Sequence, residues 1–162
     1  MTGLRGGLVL VALVTIVAPA AAQHDHSHGD DAFAALQKRG AAYMGVDQYT
    51  STHHFEDLPD GGRIVLARDP GDSAGVATIR GHLREITRAF TAGDFEIPML
   101  VHDSHVPGTD VMASRRDRIE YSYQDVDGGG EIRIKTADPM ALSAIRGFLQ
   151  FQRAEHRTAH TH

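Results

Sequence analysis

One pattern occurs twice in this chain, and it limits the fold more than any other feature. The first copy reads THHFEDLPDGGRIVLARDP and continues to ATIRGHLREI; the second reads IEYSYQDVDGGGEIRIKTADP and continues to LSAIRGFLQF. Each is a strand, a glycine-containing turn, a second strand, Asp-Pro and then a helix. Gly61 and Gly62 match Gly129 and Gly130, Ile64 and Leu66 match Ile132 and Ile134, and Ile79-Arg80-Gly81 matches Ile145-Arg146-Gly147. The turn glycines suit hairpins that need positive φ. Asp-Pro suits a helix entrance, with Asp as cap and Pro in the first turn. Two such units, about 50–92 and 117–155, predict an α+β fold: a four-stranded antiparallel sheet with two helices packed on one face. The helices carry the apolar stripes this requires, Val76, Ile79, Leu83, Ile86 and Phe90 in one and Leu142, Ile145, Phe148, Leu149 and Phe151 in the other.

The flanks read differently. Arg5, the apolar run Leu8–Val17 and Ala20-Ala21-Ala22 predict a secretory signal over 1–22, too short to span a membrane. The tract QHDHSHGDD (23–30 with its neighbour) has no apolar periodicity and is expected to be unstructured, as is the tail 158–162. A short helix is expected over 31–39, capped by Asp30 and closed by Gly40. The domain is therefore expected over 31–157. The stretch 93–116, between the units, is long for a loop but holds Phe95, Met99, Leu100, Val101 and Met112, so it is expected to pack over part of the domain. An exported location, periplasmic or secreted, follows from the signal.

The chain has no cysteine, which leaves no disulfide, thiolate site or thiol nucleophile. Its formal net charge is −5 with dispersed basic residues, which gives no nucleic-acid footprint. No nucleotide-binding loop, nucleophile elbow or H-E-x-x-H occurs. It does have 11 histidines, and imidazole is the commonest metal ligand.

Their positions matter more than their number. His53 and His54 are adjacent in a strand, so they face opposite ways and cannot chelate together. By the repeat, His53 aligns with Tyr121 on the apolar face and His54 with Ser122 on the polar one. His82 lies near the buried helix stripe and aligns with Phe148. Two inward imidazoles in one unit therefore stand where the other has aromatic core. The long loop offers His102, His105, Met99 and Met112 to complete a mononuclear site. Three histidines and an open position suit zinc or copper, and a thioether favours copper(I). Haem is a lesser expectation, since no C-x-x-C-H occurs. Asp103 is a candidate partner for His102. His24, His26 and His28 form a weak, flexible chelator. The expected function is a copper or zinc carrier, storage or tolerance protein, with enzymatic activity left open as the less favoured reading. The alternatives are a non-metal binding module of the cell envelope, with His53 and His82 as hydrogen-bonding core residues, and a small metalloenzyme. The sheet's uncovered face offers a surface for a homodimer.

The stretches YMGVDQYTSTHHF, DGGRI, GDFEIPMLVH and GFLQFQRAEHRT resemble a family of small exported bacterial proteins that share an MGxDQxxTxHHF opening and a FLxFQxxEHxT ending. The resemblance covers residues 40–158 and falls on Met44, Gly45, Asp47, Gln48, Thr52, His53, His54, Phe55, Glu155 and His156. It implies bacterial origin and export, with no activity attached. Similar sequences sometimes carry an aspartate carbamoyltransferase label; this chain is too short for that two-domain enzyme and lacks its Ser-Thr-Arg-Thr phosphate loop.

Overall fold

The computed structural model describes residues 24–158, so the expected signal 1–22 and the last tail residues lie outside it. The elements run α1 (His24–Met44), β1 (Thr52–Leu58), β2 (Gly61–Ala67), α2 (Ser73–Ala92), α3 (Glu96–His102), α4 (Thr109–Ser114), β3 (Ile119–Val126), β4 (Gly129–Thr136) and α5 (Pro139–Glu155). The fold is α+β, and the four strands form one antiparallel sheet in the order β1-β2-β4-β3.

The repeat is a structural one. The hairpins are related by a shift of 68 residues, Gly61 to Gly129, and the helices by 66, Ile79 to Ile145. In the β2–β4 register Ile64 pairs with Ile132, its own counterpart, while Gly62↔Ile134 and Leu66↔Gly130 are counterpart pairs. The two units are thus related by an approximate two-fold axis through Ile64 and Ile132. Each helix crosses that axis. Helix α2 lies mainly on β3 and β4 of the other unit, and α5 on β1 and β2. Arg80 on α2 donates to the Gly129 and Val126 carbonyls at 2.9 and 3.1 Å; Arg153 on α5 donates to the Phe55 carbonyl at 3.0 Å and to Asp57.

The paired glycines serve this crossing rather than the turns. The hairpin turns are Pro59-Asp60 and Asp127-Gly128, and the matched glycines lie at the start of β2 and β4. Of the four, only Gly61 has positive φ. A Cβ on Gly61 would collide with the Ile134 carbonyl, and one on Gly129 with the Leu66 carbonyl; at Gly62 it would meet Leu149, and at Gly130 the Tyr123 ring and then Leu83. The carbonyl collisions at Gly61 and Gly129 are symmetry counterparts, as are the leucine contacts at Gly62 and Gly130. The second Asp-Pro behaves as expected, with Asp138 capping α5 through the Met140 and Ala141 amides. The first does not: Asp72, three residues after Asp69, caps α2.

Helix α1 is longer than the expected 31–39. It includes the tract expected to be unstructured, carries Gly40 inside it, and stops at Gly45, whose φ is 64°. Its start is tied to the chain's other end, since Arg157 donates to Asp30 at 2.9 Å and lies over the Phe33 ring. The stretch between the units folds into α3 and α4, with Phe95, Val101, Val106 and Met112 buried. The free sheet face is lined with ion pairs, Arg63 to Glu56 and Glu131 and Arg133 to Asp60, so the acidic residues near the first hairpin are paired rather than free. No helix among the described residues is long and apolar enough to cross a membrane.

Gly129→Ala is expected to destabilise the fold by about 2–4 kcal/mol, because two strand backbones must separate. Gly81 and Gly147 are helical, and a Cβ added at either would meet nothing within 4 Å. Replacing each with Ala is expected to add about 0.5–1 kcal/mol. Urea midpoints measure both effects.

Candidate functional site

His53 points beneath the helices and is buried, while His54 is exposed on the free face, as strand alternation requires. His53 and His82 line one cavity together with His102 from α3 and His156 at the end of α5. The cavity measures about 60 Å³. Its other walls are apolar apart from Gln152, and Met44 is among them. All four imidazoles are buried, at 4% to 8% exposed. The His156 ring centre lies 5.3 Å from that of His53 and 5.2 Å from that of His102.

His156 is the residue that sequence reasoning missed. Under the 66-residue helix shift it is the counterpart of Phe90, as His82 is of Phe148. The two-fold axis therefore relates two three-ring clusters. In one, Phe90 contacts Tyr121 and Phe148, both at 5.8 Å between centres. In the other, the same positions hold His156, His53 and His82. The repeat that singles out His53 and His82 finds His156 as well once it is carried to the helix end. Its visible similarity stops at FLQF, because EHRT resembles a polar tail.

The hydrogen bonds fix where the protons are. Gln48 Nε2 donates to the His156 backbone carbonyl at 2.9 Å, which orients the amide and turns Oε1 toward His156 Nδ1, 2.8 Å away. Nδ1 must therefore carry the hydrogen, and Nε2 keeps its lone pair. Gln37 donates to the same Oε1 and accepts from the Gln48 backbone amide, holding the arrangement from α1. Ser51 Oγ donates its one hydrogen to the Asp47 carbonyl, so at 3.0 Å it can only accept from His53 Nε2. His53 Nδ1 is then the bare nitrogen. Asp47 shapes this turn by accepting from the Tyr49 and Thr50 amides. His102 Nε2 bonds Gln152 Oε1 at 3.0 Å, leaving Nδ1 buried without a hydrogen-bond partner and 3.9 Å from Glu155. Among the described residues no hydrogen bond reaches His82. Met44, His53 and Phe55 from the start of the domain and His156 from its end thus meet at this cavity.

Burial dominates the electrostatics. It pulls His53 down to about 4, helped by nearby His82, and His156 to about 2, helped by His53 and His102. Burial also lowers His82 and His102, the latter against the opposing pull of Gln152 and Glu155. At neutral pH the cavity holds neutral imidazoles.

The other expected participants stand elsewhere. His105 is exposed and pairs with Asp110 at 3.0 Å, and Met99 is partly exposed. Met112 is fully buried in the core and does not line the cavity. Asp103 ends α3 with φ 52°, and the side-chain partner of His102 is Gln152. Among the described residues, no group of three or more His, Asp or Glu side chains is placed to hold a metal ion. The side chains of His24, His26 and His28 lie outside the described set.

Fold and site together define a two-unit α+β protein with a buried histidine cavity. No family model matches this sequence, and comparison with curated proteins and with solved structures returns no significant match.

A pH dependence follows. A histidine whose folded pKa is lowered stays neutral in the fold but takes a proton when unfolded, below about 6.5. Stability is then complete above pH 6.5 and falls as pH drops, through about 4 for His53 and further for His156. The wild-type urea midpoint is expected to decline steadily from pH 7 to 4. A His53→Tyr/His82→Phe/His156→Phe variant, which copies the aromatic cluster, is expected to fold and to show a flatter profile above pH 5. A flat wild-type profile between pH 7 and 5 would mean that the imidazoles are not buried and neutral.

Proposed function

We propose that the protein binds a copper or zinc ion in this cavity, as an exported carrier, store or tolerance factor. One observation carries the reading: His53 and His156, both buried residues lining the cavity, commit one ring nitrogen each to a polar anchor, leaving His53 Nδ1 and His156 Nε2 without a hydrogen-bond partner among the described residues. Metal-bound histidines use this arrangement, in which the second nitrogen donates to a fixed acceptor that sets tautomer and orientation. His82 and His102 supply the further donors. The His156 ring centre lies 5.3 Å from that of His53 and 5.2 Å from that of His102, and His82 lines the same cavity. A cavity of about 60 Å³ suits an ion with a water or two, and is several-fold below the roughly 300 Å³ at which sites for drug-sized ligands begin. That size disfavours haem. Ligands this deeply buried suit holding an ion rather than turning over a substrate.

The test uses the full chain with His24, His26, His28, His160 and His162 replaced by Gln, so that only the cavity contributes. One equivalent of copper or zinc per chain is expected, and it should be lost in the His53→Tyr/His82→Phe/His156→Phe variant. Gln48→Ala should weaken binding about ten- to hundredfold with the fold intact by circular dichroism. No bound metal in the parent, or one equivalent retained by the triple variant, would sink the proposal.

A further inference from the structure

The cavity carries no formal charge. Among the described residues no Asp, Glu, Lys or Arg lines it, its polar lining is four imidazoles and the Gln152 amide, and Met44 is also part of the wall. Carboxylates stand behind the lining, Asp47 near His53, Glu85 near His82 and Glu155 near His102, but none of them lines the cavity, and that of Glu155 is half exposed, so solvent screens it. Holding an ion away from water has a cost that rises with the square of its charge, about fourfold from a monovalent to a divalent ion. A divalent ion here would find no neutralising anion among the residues that line the cavity. Zinc in structural sites takes four ligands, and its sites commonly include thiolate or carboxylate. Thioether sulfur selects copper(I).

Resting on the metal-binding reading above, we infer that the cavity is a copper(I) site, with Met44 as its thioether ligand, and that it discriminates against zinc. Met44 holds its position at the last turn of α1 because Gly45 stops the helix there, and the chain then turns through Asp47 and Ser51 into β1. The same turn therefore positions the thioether, the anchor of His53 and the anchor of His156. Neither Met99 nor Met112, the methionines the sequence offered, lines the cavity.

The experiment measures both affinities in the full chain with the five tail histidines replaced by Gln. Copper(I) is titrated anaerobically against a chromophoric copper(I) chelator, and zinc against a chromophoric zinc chelator. Copper(I) is expected to bind at least about a hundredfold tighter than zinc, and Met44→Leu to weaken copper(I) about tenfold while leaving zinc unchanged. Leu conserves the volume of Met, so the variant keeps the fold. Zinc bound as tightly as copper(I), or a copper(I) affinity untouched by Met44→Leu, overturns the selectivity and leaves the metal reading standing. Binding of neither ion overturns both.

Discussion

The close approach of β2 to β4 is the contact on which the rest of the molecule depends. Gly61 and Gly129 have no Cβ because the partner strand's carbonyl occupies that space, and Gly62 and Gly130 admit the leucines of the crossing helices. Those leucines, Leu149 and Leu83, come from the helix of the opposite unit. Neither ββα unit can bury its own sheet with its own helix, so the two units must assemble together. Arg80 and Arg153 reinforce the exchange by donating to backbone carbonyls of the hairpin that each helix covers. Such guanidinium bonds satisfy hairpin carbonyls, at the turn end for Arg80 and mid-strand in β1 for Arg153.

Within this near-symmetric frame the two halves differ mainly in chemistry. Three positions that are Tyr121, Phe90 and Phe148 on one side are His53, His156 and His82 on the other. The rings have similar shapes, so the exchange leaves the backbone geometry in place. It is not neutral in energy, because each buried imidazole brings nitrogens that need partners. The aromatic side shows the same demand on a smaller scale: the Tyr121 hydroxyl is buried without a partner, and burial raises its pKa. On the histidine side, Ser51 and Gln48 meet half of that demand for His53 and His156. The unmet half is what makes the cavity chemically interesting.

Much of this was legible in the sequence because the repeat supplies an internal comparison. It assigned the strand faces, so His53 inward and His54 outward needed no structure, and it marked both helix stripes. It also singled out His82, through Phe148. The crossing of the helices was not legible, since stripe patterns say that a helix is buried and not which strands it covers. His156 fell just past the aligned stretch, in a segment whose polarity concealed its burial. The anchors were out of reach for a different reason. Gln48 and His156 are 108 residues apart, and no local pattern marks a glutamine whose role is set by a distant ring. His105, Met99 and Met112 shared the loop's composition with His102, but only His102 lies on the α3 face that lines the cavity.

The parts of the chain outside the repeat explain why only one half became a site. Helix α1 and the turn that follows it have no counterpart before β3, and they lie against the histidine side. From them come Gln37, Gln48, Ser51 and Met44, and Arg39 ties α1 to α3 by donating to the Val101 carbonyl at 2.6 Å. Over the aromatic side, by contrast, Phe95 stacks on Phe90 at 4.4 Å, adding only hydrocarbon. A histidine placed at Phe90 would find no such acceptor in the described contacts of that ring. The added N-terminal segment is therefore what allows buried imidazoles to persist in a core of this kind. Its anchors, Ser51 and Gln48, each hold one ring nitrogen, Ser51 that of His53 and Gln48 that of His156.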